Sequence, residues 1–114
     1  MATISSHTLN GTDGTHAGGI PVRLSRVGGE TLFETEMDPG GRLARDVPPD
    51  RVDPAATYEL VFHTAPYWQT REVPRDGPQI MSEIVLRFAM PDPEGRYHMP
   101  VILAPNSYSC WWSA

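Results

Sequence analysis

Short runs in which apolar residues recur at every second position are found along the chain. The two clearest are Tyr58, Leu60 and Phe62, and then Ile84, Leu86 and Phe88. A period of two places alternate side chains on one face of an extended strand. The pattern therefore predicts β-strands that each turn one face toward a core.

Other segments carry a similar but shorter signal. Three further strands are predicted. The first follows residues 18–21, and Val22, Leu24 and Val27 share one of its sides. The second spans residues 31–35 before a turn signal at 38–41, and the last spans residues 98–103 before Pro105. Twelve prolines and ten glycines separate these runs, at the spacing of an all-β sandwich. No segment sustains a 3.6-residue period, so very little helix is expected. Residues 71–79 are predicted to be a loop.

Composition narrows the class of protein. A chain of 114 residues predicts a single domain over residues 1–114, small enough for oligomerisation to help its stability. The formal net charge is -5 and there is no run of basic residues, so nucleic acid is not an expected partner. One cysteine, Cys110, excludes an internal disulfide and a multi-cysteine zinc site. No secretory or membrane-spanning signal is present, so the expected compartment is the cytoplasm and no membrane partner is expected.

The end of the sequence combines a histidine with two tryptophans. His98 lies in the last predicted strand, and Trp111 and Trp112 follow near the final residue. Chain ends usually fray, so a large apolar pair there needs burial in a cleft, in a subunit interface, or in both. His98 and this tail are therefore predicted to belong to one site.

Histidine is the most suitable candidate for catalysis, because its unperturbed pKa lies nearest neutrality. Taken singly, each of the four histidines is more often structural or exposed than catalytic. His7 and His98 lie in the first and last strands, which a sandwich can bring side by side. Arg42 follows a glycine-rich turn, where a solvated arginine is the commoner role and an anion-binding or carbonyl-binding guanidinium is the alternative.

Other kinds of chemistry find less support. The histidines lack the His-x-His or His-x-x-x-His spacing of a metal site. Nucleophile motifs and phosphate-binding glycine loops are absent. Cys110 is more often a small hydrophobic residue than a nucleophile.

Several segments together resemble the transthyretin-related family, in particular its 5-hydroxyisourate hydrolases. These segments are residues 4–10, 18–24, 41–42, 58–68 and 97–109. The first resembles Ser-x-His-Val-Leu-Asp, and the last resembles Tyr-His-Val-Pro-Leu-Leu-Leu-Ser-Pro-x-x-Tyr-Ser. The resemblance covers nearly the whole chain, and the last segment is highly specific.

The resemblance implies an eight-stranded, two-sheet sandwich assembled as a homotetramer, a dimer of dimers. It also implies a catalytic site of His7, Arg42 and His98 in the channel between dimers, which acts on a small-molecule substrate without a metal or other cofactor. In the family reaction a histidine-activated water attacks a ring carbonyl and opens a six-membered cyclic amide. His98 would be the base or position the water, His7 would orient it or relay the proton, and Arg42 would bind the carbonyl edge.

The tail departs from the family pattern. The hydrolases end in Tyr-Arg-Gly-Ser, where this chain has Trp111, Trp112, Ser113 and Ala114. Substrate-binding residues carried over from the resemblance are Ser109, Trp111, Trp112 and Ser113. The indoles add bulk and stacking surface but only one donor each. Equally, they could serve only to hold the tetramer together.

Three functions remain open from the sequence. The first is hydrolysis of 5-hydroxyisourate, and the second is ring-opening or cyclisation of a larger, more apolar substrate in specialised metabolism. The third is a non-enzymatic carrier, which the retained His7, Arg42 and His98 disfavour because buried polar groups without a task are costly. The sequence assigns no role to His16 or His63.

Overall fold

The computed structural model describes residues 1–72 and 77–114, and within them the chain forms nine strands and one short helix. The strands are β1 (Ala2–Asn10), β2 (Pro21–Arg26), β3 (Thr31–Glu36), β4 (Arg42–Val47), β5 (Thr57–Phe62), β6 (Ile84–Ala89), β7 (Arg96–His98), β8 (Val101–Ala104) and β9 (Ser107–Cys110). The helix is α1 (Ala65–Gln69), and a single 3₁₀ turn spans Pro49–Arg51.

The strands form two sheets. One has the order β4-β1-β8-β9, with β7 also paired to β1, and the other has the order β3-β2-β5-β6. The predicted all-β, two-sheet sandwich with very little helix is confirmed. The resemblance implied eight strands, whereas the described chain has nine, because the predicted strand 98–103 is interrupted at Pro100. Proline has no N–H to donate to a ladder, so β7 ends at His98 and β8 begins at Val101.

The alternating residues pack between the sheets as predicted. Leu24, Leu60 and Phe62 are completely buried. Val27 does not belong to this set, and its placement on the side of a strand was wrong. It follows the end of β2 at Arg26, next to the turn at Gly28, and is 37% exposed.

The short helix α1 was not predicted, because five residues are too few to show a helical period. Pro66 lies in its first turn, where a missing N–H costs no helical hydrogen bond. The helix buries Trp68 and Tyr67, and the Tyr67 hydroxyl accepts a hydrogen bond from the buried side chain of Asn10 at 3.0 Å. Within residues 1–72 and 77–114, no helix is long and apolar enough to cross a membrane. Of the loop predicted at 71–79, residues 73–76 lie outside the described part of the chain.

The tail continues the edge strand β9. Cys110 pairs with Val101 at the end of the β8–β9 ladder, and Ser113 pairs with His98 in the same register. Two backbone hydrogen bonds hold this pair, from the N–H of His98 to Ser113 and from the N–H of Ser113 to His98, at 3.0 and 2.9 Å. The end of the chain is therefore fixed beside the histidine that the sequence singled out.

Candidate functional site

The outer face of β1 organises the candidate site. Buried and partly exposed residues alternate along this strand, and Ser5 and His7 are both on its outward face. In the sheet, His7 lies opposite Arg42 of β4, and Ser5 lies opposite His98 of β7. Directly opposed side chains on one face are close neighbours, so the fold brings His7, Arg42 and His98 to a single surface.

His98 is held from both sides. The Ser5 hydroxyl is 2.8 Å from its Nδ1, and the tail pairs with its backbone through Ser113. Among the described residues, no hydrogen-bond partner contacts its Nε2. A ring oriented through one nitrogen presents the other to a ligand, so His98 is arranged to exchange a proton through Nε2.

A tight turn positions Arg42. The N–H of Gly41 donates to the carbonyl of Asp38, and the Asp38 carboxylate accepts the N–H of Arg42 at 2.8 Å. Pro39 suits the second position of such a turn, and Gly41 adopts a positive φ of 73° that favours glycine. The Arg42 side chain is exposed and forms no ion pair with any described residue, so its guanidinium is available to an incoming polar group.

A pocket of about 360 Å³ opens over these residues. It is lined by Ser5, Ser6, Asp38, Arg42, Leu43, Ala44 and His98. Its polar groups are the Asp38 carboxylate, the Arg42 guanidinium, the His98 imidazole and the Ser5 hydroxyl, while Leu43 and Ala44 give it an apolar part. The buried Ser6 hydroxyl donates to the carbonyl of Met99. The pocket therefore suits a small ligand that contacts both polar and apolar groups. A volume of this size is at the lower end of the range for small-molecule sites.

His7 lies beside this pocket and interacts with a residue that the sequence left without a role. Its Nε2 is 2.8 Å from Nδ1 of His16, and the two rings meet edge to edge, with centroids 4.9 Å apart and planes inclined by 23°. Burial is the main factor that holds the pKa of His7 below its usual value of 6.5, and the nearby charges of Arg42, His16 and His98 act in the same direction. The carbonyl of Gly40 accepts a hydrogen bond from the ring and acts against them. His7 is therefore kept in its neutral form.

This lowered pKa predicts a dependence of stability on pH. The unfolded chain binds a proton at His7 near pH 6.5, whereas the folded chain does so only at a lower pH, so folding is favoured more strongly above pH 6.5. We expect the free energy of unfolding to fall as the pH drops from 6.5 through the folded pKa. Urea unfolding between pH 5 and 8 should show this loss in the wild type and a smaller loss in His7→Gln. Parallel curves for the two proteins would contradict the prediction.

The tail residues predicted to bind substrate do not lie together in one place. Ser113 reaches His98 through its backbone, and Ser109 lies exposed in β9 opposite Ile102. Trp111 and Trp112 are 49% and 61% exposed. Neither is among the described residues that line the pocket over His98 and Arg42.

The indoles instead lie beside β6. Trp112 lines an apolar pocket of about 370 Å³ with Phe88, Tyr97 and Met99, and both tryptophans line a second pocket of about 300 Å³ along β6. Cys110 also borders the second pocket. The tail therefore presents its backbone to His98 and its indoles to an apolar surface.

His63 is outside the cluster. It follows β5 on the other sheet, and its Nδ1 lies 3.6 Å from the carboxylate of Glu83. It borders a separate pocket of about 230 Å³ together with Arg23 and Glu34. Among residues 1–72 and 77–114, no three histidine, cysteine, aspartate or glutamate side chains are grouped as ligands for a metal ion. The prediction that no metal or other cofactor is needed stays a prediction.

Comparisons with known proteins add to this geometry. A family model described as the HIUase/Transthyretin family matches residues 4–112. The chain is 30% identical to a 5-hydroxyisourate hydrolase of Pseudomonas aeruginosa, over 97% of this chain and 90% of that protein. It is 32% identical to a 5-hydroxyisourate hydrolase of Deinococcus radiodurans, over 95% and 92% respectively. The solved structure of Klebsiella pneumoniae 5-hydroxyisourate hydrolase superposes with a TM-score of 0.78 at 30% identity, over 100% of both chains.

Proposed function

Because the chain belongs to the HIUase/Transthyretin family, we propose that it is a hydrolase that opens the ring of 5-hydroxyisourate. The observation that carries the proposal is the convergence of His7, Arg42 and His98 on one face of the β4-β1-β7 sheet, where Arg42 and His98 line a small pocket. The relatives named as hydrolases of this compound match nearly the whole chain, which supports the same substrate here.

In this mechanism His98 is the base. Its Nε2 takes a proton from a water molecule while Ser5 holds Nδ1. The water oxygen forms a bond to a ring carbonyl carbon, and negative charge grows on the carbonyl oxygen. The bond from that carbon to the ring nitrogen then breaks, and the nitrogen receives the proton from His98. Water is consumed, and no other reactant is needed.

Arg42 and His7 complete the site. The Arg42 guanidinium binds the carbonyl edge, where positive charge stabilises the developing oxyanion. A neutral His7 next to Arg42 adds no further positive charge that would repel the guanidinium, and it orients the reacting groups or relays the proton. The pKa of His7 lies below its ordinary value, which suits this neutral role at the pH of the cell interior.

The altered tail bears on the choice of substrate. A larger, more apolar substrate would be favoured if the indoles lined the catalytic pocket. Within the described chain Trp111 and Trp112 line apolar pockets beside β6, and neither lines the separate, small pocket over His98 and Arg42. The catalytic residues are therefore not covered by an indole, which supports the small ring of 5-hydroxyisourate. Of the predicted substrate-binding residues Ser109, Trp111, Trp112 and Ser113, we assign only Ser113 to the catalytic centre, where its backbone pairs with His98 and helps to hold the base.

The assembly and location belong to the same proposal. We infer a single domain over residues 1–114 and a cytoplasmic homotetramer. The exposed edge strand β9 and the exposed tryptophans support association. Light scattering on the purified protein measures the mass directly, and a monomer at micromolar concentration would contradict the tetramer.

The proposed function is tested with 5-hydroxyisourate that is generated enzymatically in the assay mixture. Urate oxidase generates 5-hydroxyisourate, and its ultraviolet absorbance then decays spontaneously. We expect the purified protein to accelerate this decay in proportion to its concentration. A decay rate equal to that of buffer would reject the proposed substrate, and binding of a small molecule without any turnover would favour a carrier.

A further inference from the structure

The segment between β1 and β2 folds back on β1 through a compact turn. Asn10 Oδ1 accepts the N–H of Thr12, and Asp13 Oδ1 accepts the N–H and the hydroxyl of Thr15. The hydrogen bonds from Thr15 hold the pKa of Asp13 below its usual value. Gly14 supplies the positive φ of 78° that closes the turn. The turn therefore reverses the chain within a few residues.

This reversal places His16 on the face that carries the site. His16 bridges Leu9 in an antiparallel pair, and the N–H of Ala17 donates to the carbonyl of Thr8. A residue opposite Leu9 is the diagonal neighbour of His7 on the same face. The edge-to-edge rings and the 2.8 Å contact between His7 Nε2 and His16 Nδ1 follow from this register.

The contact determines where the proton of neutral His7 sits. Two imidazole nitrogens at hydrogen-bond distance share one proton, so one donates and the other accepts. The backbone of Gly40 also favours a proton on the His7 ring. Since Nε2 faces His16, we infer that this proton is on Nδ1. Neutral His7 then accepts at Nε2 the proton that His16 carries on Nδ1.

We propose that His16 is a positioning residue of the catalytic centre, which occupies Nε2 of His7 and fixes the Nδ1–H form of that ring. Both nitrogens of His7 are then engaged, so of the two roles proposed above His7 keeps the orienting one and does not relay the proton. His98 has a free nitrogen that faces the pocket, and it acts as the base. The catalytic consequence rests on the proposed hydrolase function. The hydrogen-bond assignment does not depend on that function.

Nitrogen NMR of the imidazole rings tests the assignment on the intact protein. At pH 8 we expect His7 Nδ1 to show the shift of a protonated nitrogen and Nε2 that of an unprotonated acceptor. A wild-type His7 with its proton on Nε2 would overturn the proposal, and this result needs no variant.

Two substitutions separate the hydrogen bond from the presence of an aromatic ring. His16→Phe keeps a planar ring beside His7 and removes the donor. His16→Asn removes the ring and keeps an N–H donor close to the position of Nδ1. We expect a proton to appear on His7 Nε2 in His16→Phe, and the wild-type pattern to persist in His16→Asn. His16 is exposed, so both variants are expected to fold.

The titration and the kinetics give independent readouts. The groups facing His7 are Arg42 from β4, His98 from β7 and His16 itself. Loss of the proton that His16 donates to Nε2 should move the His7 titration toward higher pH in His16→Phe, because that hydrogen bond favours neutral His7. In the decay assay we expect kcat to fall about 5–10-fold in His16→Phe with KM unchanged, the size of one lost hydrogen bond, and to stay near wild type in His16→Asn.

The outcomes distinguish this proposal from the proposed function. If the nitrogen shifts of His7 are unchanged in His16→Phe, His16 does not position His7. If those shifts change while kcat does not, His16 positions His7 but has no effect on catalysis. If the wild type fails to accelerate the decay, the proposed substrate falls, and the NMR result still decides whether His16 sets the proton on His7.

Discussion

Replacement of His98 by Asn is expected to lower kcat for 5-hydroxyisourate by about 10²–10⁴-fold, the usual contribution of a positioned general base. The amide has no group that can take a proton from water at neutral pH. It can still hydrogen-bond the Ser5 hydroxyl, and the backbone pairing with Ser113 does not depend on the side chain. The loss should therefore appear in kcat, with the free energy of unfolding and the oligomeric mass close to those of the wild type.

The matched control is His63→Asn, the same substitution at a histidine on the other sheet. His63 is half-exposed beside Glu83 and borders a different pocket, so its replacement should leave kcat unchanged. Ser5→Ala gives an intermediate case, because it frees Nδ1 of His98 without removing the base. One lost hydrogen bond predicts a decrease of about 5–10-fold. Retention of activity by His98→Asn would refute the role of His98 as base.

The sandwich could be predicted from the sequence because its signal is local. A period of two in residues such as Leu60 and Phe62 depends only on neighbours in the chain, and burial in the structure follows it. The edge strand β9 had no such signal, since all four of its residues are exposed. The register of β9 sets the pairing of Ser113 with His98. That register depends on contacts between distant residues, which the alternation of apolar and polar residues does not encode.

The site was less accessible to sequence reasoning for a related reason. Ser5 and His98 are 93 positions apart, and only the parallel pairing of β1 with β7 makes them neighbours. Spacing alone favoured a solvated role for Arg42. Its side chain is indeed exposed, yet it lines the pocket with His98. The resemblance to a family, rather than the pattern of residues, named the three together.

His16 shows what turn chemistry can add. No family motif pointed to it, but Asn10, Asp13 and Gly14 are residues that reverse a chain within a few positions. A reversal there places His16 back across the end of β1. The signal was therefore present in the turn residues, although the contact of His16 with His7 depends on the fold.

The second large effect is expected at Gly41, the residue before Arg42. A Cβ at this position would lie 2.5 Å from the carbonyl oxygen of Thr8 and 3.1 Å from that of Ala17. These are backbone atoms of β1 and of the segment that carries His16, and neither can give way without moving the site. The φ of 73° adds a penalty of about 1–2 kcal/mol for a residue with a side chain. Overpacking adds about 1–3 kcal/mol more.

Gly41→Ala should therefore lower the free energy of unfolding by about 2–5 kcal/mol and reduce kcat, because Arg42 is displaced from His7. Gly40→Ala is the matched control one position earlier. A Cβ there would meet only the Asp38 carboxylate at 3.4 Å, and its φ is not in the left-handed region. Urea unfolding measures the change in stability, at equal protein concentration because the stability of an oligomer depends on it. The decay assay measures the change in kcat. Equal stability and activity in the two variants would show that the close packing of Gly41 against Thr8 does not set the position of Arg42.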